Sequence, residues 1–348
     1  MSDSPKPACA TRRRFVLTLG AVGASVAIGN WLWPFGRNGK TPRAPAGLHA
    51  VRRIGSALGA PASIVALHET EAGAEGALAA AFAEIETVES VMSLYRPGSQ
   101  LCRLNREGEL RGPHPYLVYV LRQAQALSAA SHGAFDVTVQ PLWALYANAV
   151  ALGRLPGADE IDRVRRQVDW RQVEVSDELI RLKRSGTAVT LNGIAQGFAA
   201  DRVLGVLTAR GVRHALVDTG EIGSLGRRTD GACWTVGIQH PRHQDRLISR
   251  IRLDGRCLAT SGDYQTTFTP DYLHNHLFDP RTGRSPTVFA SVTVLARTGL
   301  EADGLSTAVF VAGLERGIRL IEAQPGADGF FVLKDGQTRA TSALGGDV

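Results

Sequence analysis

What most constrains this chain is its irregular punctuation. Helical and extended stretches of unequal length follow one another from residue 63 onward, separated by glycine-rich turns and never in the regular spacing of strand–helix–strand units. Ser63–Leu67 reads as a strand, and Glu71–Met92 as a long helix with Leu78, Phe82, Ile85 and Val88 at helical spacing. Tyr116–Ala130 is a second amphipathic helix, with Pro115 at its start and Gly133 just past its end, and Ala158–Val168 is a shorter third. Val173–Val175, Ile180–Leu182 and Ala188–Leu191 read as short strands. Gly197–Arg210 is a helix closed by Gly211 that leads into the apolar strand Ala215–Val217. Trp234–Phe268 is strand-rich, Phe289–Ala296 is a strong strand, Ala302–Ala312 and Ile318–Glu322 are helices, and Gly329–Leu333 is a last strand. This pattern excludes a doubly wound parallel fold and predicts an α+β protein of mixed or antiparallel sheets with packed helices.

Composition agrees with a folded body. Of 348 residues, 44% are hydrophobic and 21% charged, enough for a sizeable core and too apolar for general disorder. The net charge of +6 suggests a nucleic-acid partner only until it is located. Residues 1–44 hold seven basic residues against Asp3 alone, so the rest of the chain is balanced and no nucleic-acid surface is expected. The leader reads as an export signal: Thr11-Arg12-Arg13-Arg14-Phe15-Val16-Leu17 is a twin-arginine pattern, followed by a modest apolar run to Ile28. Periplasmic export is therefore expected, with an N-terminal inner-membrane anchor as the alternative. Residues 31–46 form a Pro/Gly/Arg-rich linker, so residues 1–44 are set apart from a domain spanning 45–340. Gly39-Lys40-Thr41 resembles the end of a phosphate-binding loop but lacks its first glycine, a strand before it and a helix after it. Cys9, Cys102, Cys233 and Cys257 show no paired spacing, so neither a disulfide framework nor a zinc site is expected.

Six polar segments lie between these elements, and each has an ordinary structural reading. Met92–Ser99, with Tyr95, leaves a helix into a turn. Ala134–Leu142 reads as extended, with Asp136 and Thr138 on one face and Phe135 and Val137 on the other. Leu191–Asp201 is strand, glycine turn and helix, an arrangement that aims free N–H groups at an anion. Thr260-Ser261-Gly262-Asp263-Tyr264 offers small hydroxyls and a carboxylate. His274–Gly283 carries two imidazoles that strand alternation would set on one face, where one could act as a base; a metal pair is the less favoured reading. Asp303 and Thr307 stand four apart on one helical face, making an oxygen site suited to Mg²⁺, or else Asp303 simply charges a helix start.

Taken in order, these six segments resemble the ApbE family of FAD:protein FMN transferases over about residues 57–326. The carrying motifs are M-S-L-Y, F-D-V-T-V-Q-P-L, G-I-A-Q-G-F-A-A-D, T-S-G-D-Y, H-L-F-D-P-R-T-G and A-D-G-L-S-T. The resemblance implies a single T-fold-like catalytic unit of two subdomains. It also implies Mg²⁺-dependent cleavage of FAD, used as substrate, and attachment of FMN to a threonine of a client flavoprotein with release of AMP. It implies metal ligation by Gly193, Asp303 and Thr307, and FAD contacts at Leu58, Tyr95, Ala134, Phe135, Asp136, Thr190, Gln196, Thr260, Ser261 and Gly262. His276 would be the base, with Asp279 beside it in the reacting region. Departures fall at Gln196, where the family commonly has Lys, at Thr190 for Asp, at Gly220-Glu221 for a Gly pair and at Leu58 for Met. The L-N-G-I-A-Q-G form with this leader resembles the branch that matures nitrous oxide reductase, which implies a membrane flavoprotein as client. An FAD-binding protein without transfer, or an FAD pyrophosphatase, remains the alternative.

Overall fold

The computed structural model describes residues 47–341; the twin-arginine segment, Cys9 and the linker lie outside the described residues. The chain opens with a hairpin of β1 (His49–Ala57) and β2 (Ala60–His68). Its two-residue loop places both Leu58 (φ 50°) and Gly59 (φ 87°) in the left-handed region, as the twist of a tight hairpin requires. A leucine is rarely held there. Donation of the Leu58 N–H to Glu89 Oε1 at 2.7 Å fixes it.

Eight antiparallel strands form the main sheet, in the order β1-β2-β6-β7-β10-β11-β12-β13. The later members are β6 (His214–Asp218), β7 (Ile222–Leu225), β10 (Cys257–Gly262), β11 (Phe289–Ala296), β12 (Asp328–Leu333) and β13 (Thr338–Ala340). Alternation in β2 shows how the sheet divides the core. Ile64 and Ala66 face α1 (Glu71–Met92) and α6 (Ala195–Ala209), whereas Val65 and Leu67 face the hairpin of β8 (Trp234–His240) and β9 (His243–Leu253). The helix face is lined by Leu78, Ile85, Val203 and Leu207, the hairpin face by Trp234, Val236, Ile238 and Ile251.

A second lobe packs α2 (Gln100–Glu107) and α3 (Pro115–Ala130) against a small sheet of β3 (Glu109–Arg111), β5 (Leu179–Leu182) and β4 (Val173–Val175). Two further helices, α4 (Gln140–Ala151) and α5 (Ala158–Arg165), bury Leu142, Tyr146 and Ile161 with Phe278. Next to β10 and β11 runs α7 (Gly299–Ala312), which buries Leu305, Val309 and Phe310 against Phe289, Val292 and Phe331; α8 (Leu314–Glu322) follows it.

The crossing of α6 and α7 positions everything that follows. A Cβ on Gly197 would stand 2.0 Å from the Gly299 carbonyl oxygen, so the two backbones touch where no side chain fits. Each helix also caps the other: Asp201 accepts from Gly299 N (2.6 Å) and Leu300 N (2.9 Å), and Asp303 accepts from Gly197 N (2.9 Å). The first-turn N–H groups of Gly197, Gly299 and Leu300 are thereby satisfied.

The α+β class with antiparallel sheets is as the sequence predicts, but several local expectations are corrected. Ala188–Leu191 is not a strand: Asn105 replaces a partner strand, its Nδ2 donating to the Val189 carbonyl (2.8 Å) and its Oδ1 accepting from the Val189 N–H (2.7 Å). Ala134–Leu142 is not extended, because the Asp136 side chain caps a short 3₁₀ turn at Val137–Val139 that runs into α4. The segment from His274 to Gly283 makes two isolated bridges, Thr267 to Asn275 and Asp279 to Arg284, and no strand. Its two imidazoles have different surroundings, His274 beside the Tyr146 ring and His276 against the Thr266 carbonyl. Helix α7 starts three residues before Ala302, behind the cap Thr298, which moves Asp303 into the second turn. Cys102, Cys233 and Cys257 are free thiols, and among the described residues no helix is long and apolar enough to cross a membrane.

Candidate active site

Asp303 and Thr307, one turn apart on α7, face the glycine turn that enters α6. A Cβ on Gly193 would lie 2.9 Å from Thr307 Oγ1, so the turn rests directly on that hydroxyl. Ser261, near the end of β10, completes the group: its Oγ is 3.0 Å from Thr307 Oγ1 and 2.8 Å from Ser306 Oγ. These hydroxyls, one helical turn from the Asp303 carboxylate, are hard oxygen donors, the chemistry that Mg²⁺ prefers. The donor set of Gly193, Asp303 and Thr307 therefore fits the ion that the motifs imply.

Electrostatics sharpen the fit. Asp303 is 3% exposed, and burial pushes its carboxyl well up despite the Gly197 amide, with the Asp201 charge adding to the rise. Glu221 is also raised well above its ordinary value, first by burial and then by the charge of Asp303; Asp218 is pushed up by burial to about 7. Among the described residues neither Asp303 nor Glu221 forms an ion pair. A buried carboxylate without a cation strongly favours either a proton or a bound metal ion.

The candidate flavin residues converge on the same turn from the other side. The Tyr95 ring lies against Gly59, next to Leu58, and its Oη accepts from Asn192 Nδ2 at 3.3 Å. Tyr95 is 53% exposed, so its ring is open to a ligand. Thr190 donates its N–H to the Val137 carbonyl (2.8 Å), which ties it to Ala134, Phe135 and Asp136. Asp136 is buried and fully engaged, accepting from Thr138 N, Thr138 Oγ1 and Trp170 N at 2.8, 2.6 and 3.1 Å. The Gln196 amide packs on Gly220, where a Cβ would meet Nε2 at 2.2 Å. Thr260 donates its N–H to Glu221 Oε2 (3.1 Å), and Gly262 supports the Tyr264 ring.

His276 stands on a separate loop. Its N–H donates to the Thr266 carbonyl at 3.0 Å and its Nδ1 lies 3.2 Å from the same oxygen. That oxygen can only accept, so Nδ1 carries the proton and Nε2 keeps its lone pair. Burial lowers the imidazole below its ordinary value, against smaller opposing effects of Thr266 and the Asp263 charge. Asp279 is drawn elsewhere: its carboxylate holds Arg281 N (2.9 Å), Nε (2.9 Å) and Nη2 (2.8 Å) in the turn that follows. The sequence marks Asp201 as the last residue of the glycine-turn motif and Glu221 as a departure, but not Asp218, whose one signal is a carboxylate at the end of the apolar strand β6.

Residues 58–331 match the pattern of the ApbE family. The chain belongs to the ApbE family. An FAD:protein FMN transferase of Vibrio cholerae is 32% identical to it over 250 residues, 69% of this chain and 74% of that protein. Another of Klebsiella pneumoniae is 28% identical over 311 residues, 85% of this chain and 88% of that one. Among solved structures, the flavin transferase ApbE from Vibrio cholerae superposes with a TM-score of 0.76 at 27% identity, covering 86% of this chain and all of that one. The Pseudomonas stutzeri flavinyl transferase ApbE, in its apo form, gives 0.74 at 30% identity over 85% and 96%.

Proposed function

We propose that this ApbE-family protein is an FAD:protein FMN transferase that moves FMN from FAD onto a threonine hydroxyl of a client flavoprotein and releases AMP. One observation carries the reading above others: a buried Asp303 carboxylate with no ion-pair partner among the described residues, one helical turn before Thr307, whose hydroxyl meets Ser261 and the Gly193 turn. Asp303, Thr307 and the Gly193 carbonyl are the groups that would hold Mg²⁺. When bound, the ion supplies positive charge to the FAD diphosphate.

In the reaction a bond forms between the threonine Oγ and the FMN phosphorus. The bond from that phosphorus to the bridging oxygen breaks, and AMP leaves with that oxygen. The threonine proton passes to His276 Nε2, the nitrogen left basic by Thr266. Asp279 keeps the turn after His276 in place rather than reacting. Leu58, Tyr95, Ala134–Asp136, Thr190, Gln196 and Thr260–Gly262 are assigned to the FAD path. Gln196 is an uncharged amide, so phosphate charge there falls to the metal.

The leader supports export to the periplasm by the twin-arginine route, and together with the L-N-G-I-A-Q-G form it supports a membrane flavoprotein as client, as in nitrous oxide reductase maturation. The test is incubation of the protein with FAD, Mg²⁺ and a flavin-accepting client domain. Covalent flavin on the client, seen as gel fluorescence, is the expected result. FAD retained unchanged would mean a binding protein, and free FMN with AMP and an unlabelled client would mean a pyrophosphatase.

A further inference from the structure

Asp263 is completely buried, yet it is held by two cations rather than by the metal-site residues. Arg242 grips it with both arms, Nη1 to Oδ1 at 2.7 Å and Nη2 to Oδ2 at 2.8 Å, and Lys334 Nζ adds 3.2 Å to Oδ2. The three residues come from distant places: the tip of the β8–β9 hairpin, the residue after β10, and the residue after β12. Both cations also hold Tyr272. The Arg242 guanidinium lies 4.1 Å from its ring centre, and Lys334 Nζ donates to its carbonyl at 2.6 Å. Tyr272 has φ 61°, a conformation a tyrosine keeps only where its surroundings impose it.

From Tyr272 the grip passes to His276. Asn275 Nδ2 donates to the Tyr272 carbonyl at 3.2 Å. The Asn275 N–H donates to Ser285 Oγ (2.9 Å), and Ser285 Oγ donates back to the Asn275 carbonyl (2.8 Å). The next residue is His276, paired with Thr266, which lies three residues beyond Asp263. Charges buried this way are seldom a net source of stability, since an apolar trio of similar volume would serve the core as well. Their return is geometric: a bidentate fork and a second cation fix one arrangement of the loop.

We propose that the Arg242–Asp263–Lys334 cluster is a positioning device for His276, holding the loop of residues 263–285 so that Nε2 meets the acceptor hydroxyl. The proposal rests on the reading of His276 as the base. Arg242 and Lys334 are positioning residues, and neither belongs to the assigned FAD path or metal set.

The experiment compares Lys334→Met, Arg242→Lys and Lys334→Arg with the unaltered enzyme, after circular dichroism has shown each to be folded. Lys334→Met is expected to lower kcat roughly 10- to 100-fold, the scale of a misplaced reacting group, with KM for FAD unchanged. The ¹⁵N spectrum of the His276 imidazole should lose its single Nδ1–H signature in the same variant. Lys334→Arg should restore both. Arg242→Lys, which keeps the charge but not the fork, should show the same split and serves where Lys334→Met does not fold. Folded variants with unaltered kcat and an unaltered imidazole spectrum would overturn the positioning role. Full transfer by His276→Ala is a separate result, and it would remove the base reading instead.

Discussion

His276 owes its reactive nitrogen to a single backbone carbonyl. The Thr266 carbonyl accepts a hydrogen bond from Nδ1–H, and burial keeps the ring neutral to a lower pH than usual. Because the folded value is depressed, the base stays available as pH falls below the ordinary histidine value of about 6.5, and activity is lost only as pH drops through the lower, folded value. The acid limb of the kcat–pH profile is therefore expected below that of a free imidazole, and His276→Ala should abolish the limb. The same substitution should slow transfer by ~10²–10⁴-fold and leave FAD affinity, read by flavin fluorescence, unchanged. Asp303→Asn keeps the shape of the buried group and removes its charge. It should reduce transfer by at least ~10²-fold, with loss of divalent-ion binding in calorimetry. An Asp303→Asn protein that binds the ion and transfers flavin at the normal rate would contradict the metal assignment.

At the scale of elements, the site depends on two helices touching at glycine. Gly197→Ala drives a methyl into the Gly299 carbonyl, so the helices must separate and carry Asp303 away from the Gly193 turn. A loss of about 1–3 kcal/mol in urea unfolding is expected, together with weaker metal binding. A stable Gly197→Ala protein with normal metal affinity would show that the crossing does not set the site. Long periodic elements such as α1, and the strand β11, were legible because burial imposes a period on many residues at once. Helix α2 was not, being short and mostly polar, and α4 was hidden by Asp136, whose side chain starts a turn where alternation suggests a strand. The glycine turn and the Asp303/Thr307 pair were legible because each sits within one local segment. Arg242 and Lys334 carry no local signal, since only the folded sheet brings them to Asp263.

Taken whole, the molecule supports its site with cores that do not include it. The helix face and the hairpin face of the sheet are apolar, whereas the acids Asp218, Glu221 and Asp303 lie outside both clusters with raised proton affinity. Chelation should therefore stop transfer without unfolding the protein. Mg²⁺, binding only the folded state, should raise the melting temperature, with about 2.7 kcal/mol of added stability at a hundredfold excess over Kd. A melting temperature indifferent to Mg²⁺ would argue against a site in the folded body.

The most direct test is anomalous diffraction from crystals soaked with Mn²⁺ and FAD. A single strong peak is predicted between the Asp303 carboxylate, Thr307 Oγ1 and the Gly193 carbonyl, with the flavin diphosphate density against it. A peak elsewhere, or diphosphate density remote from the start of α7, would contradict the account.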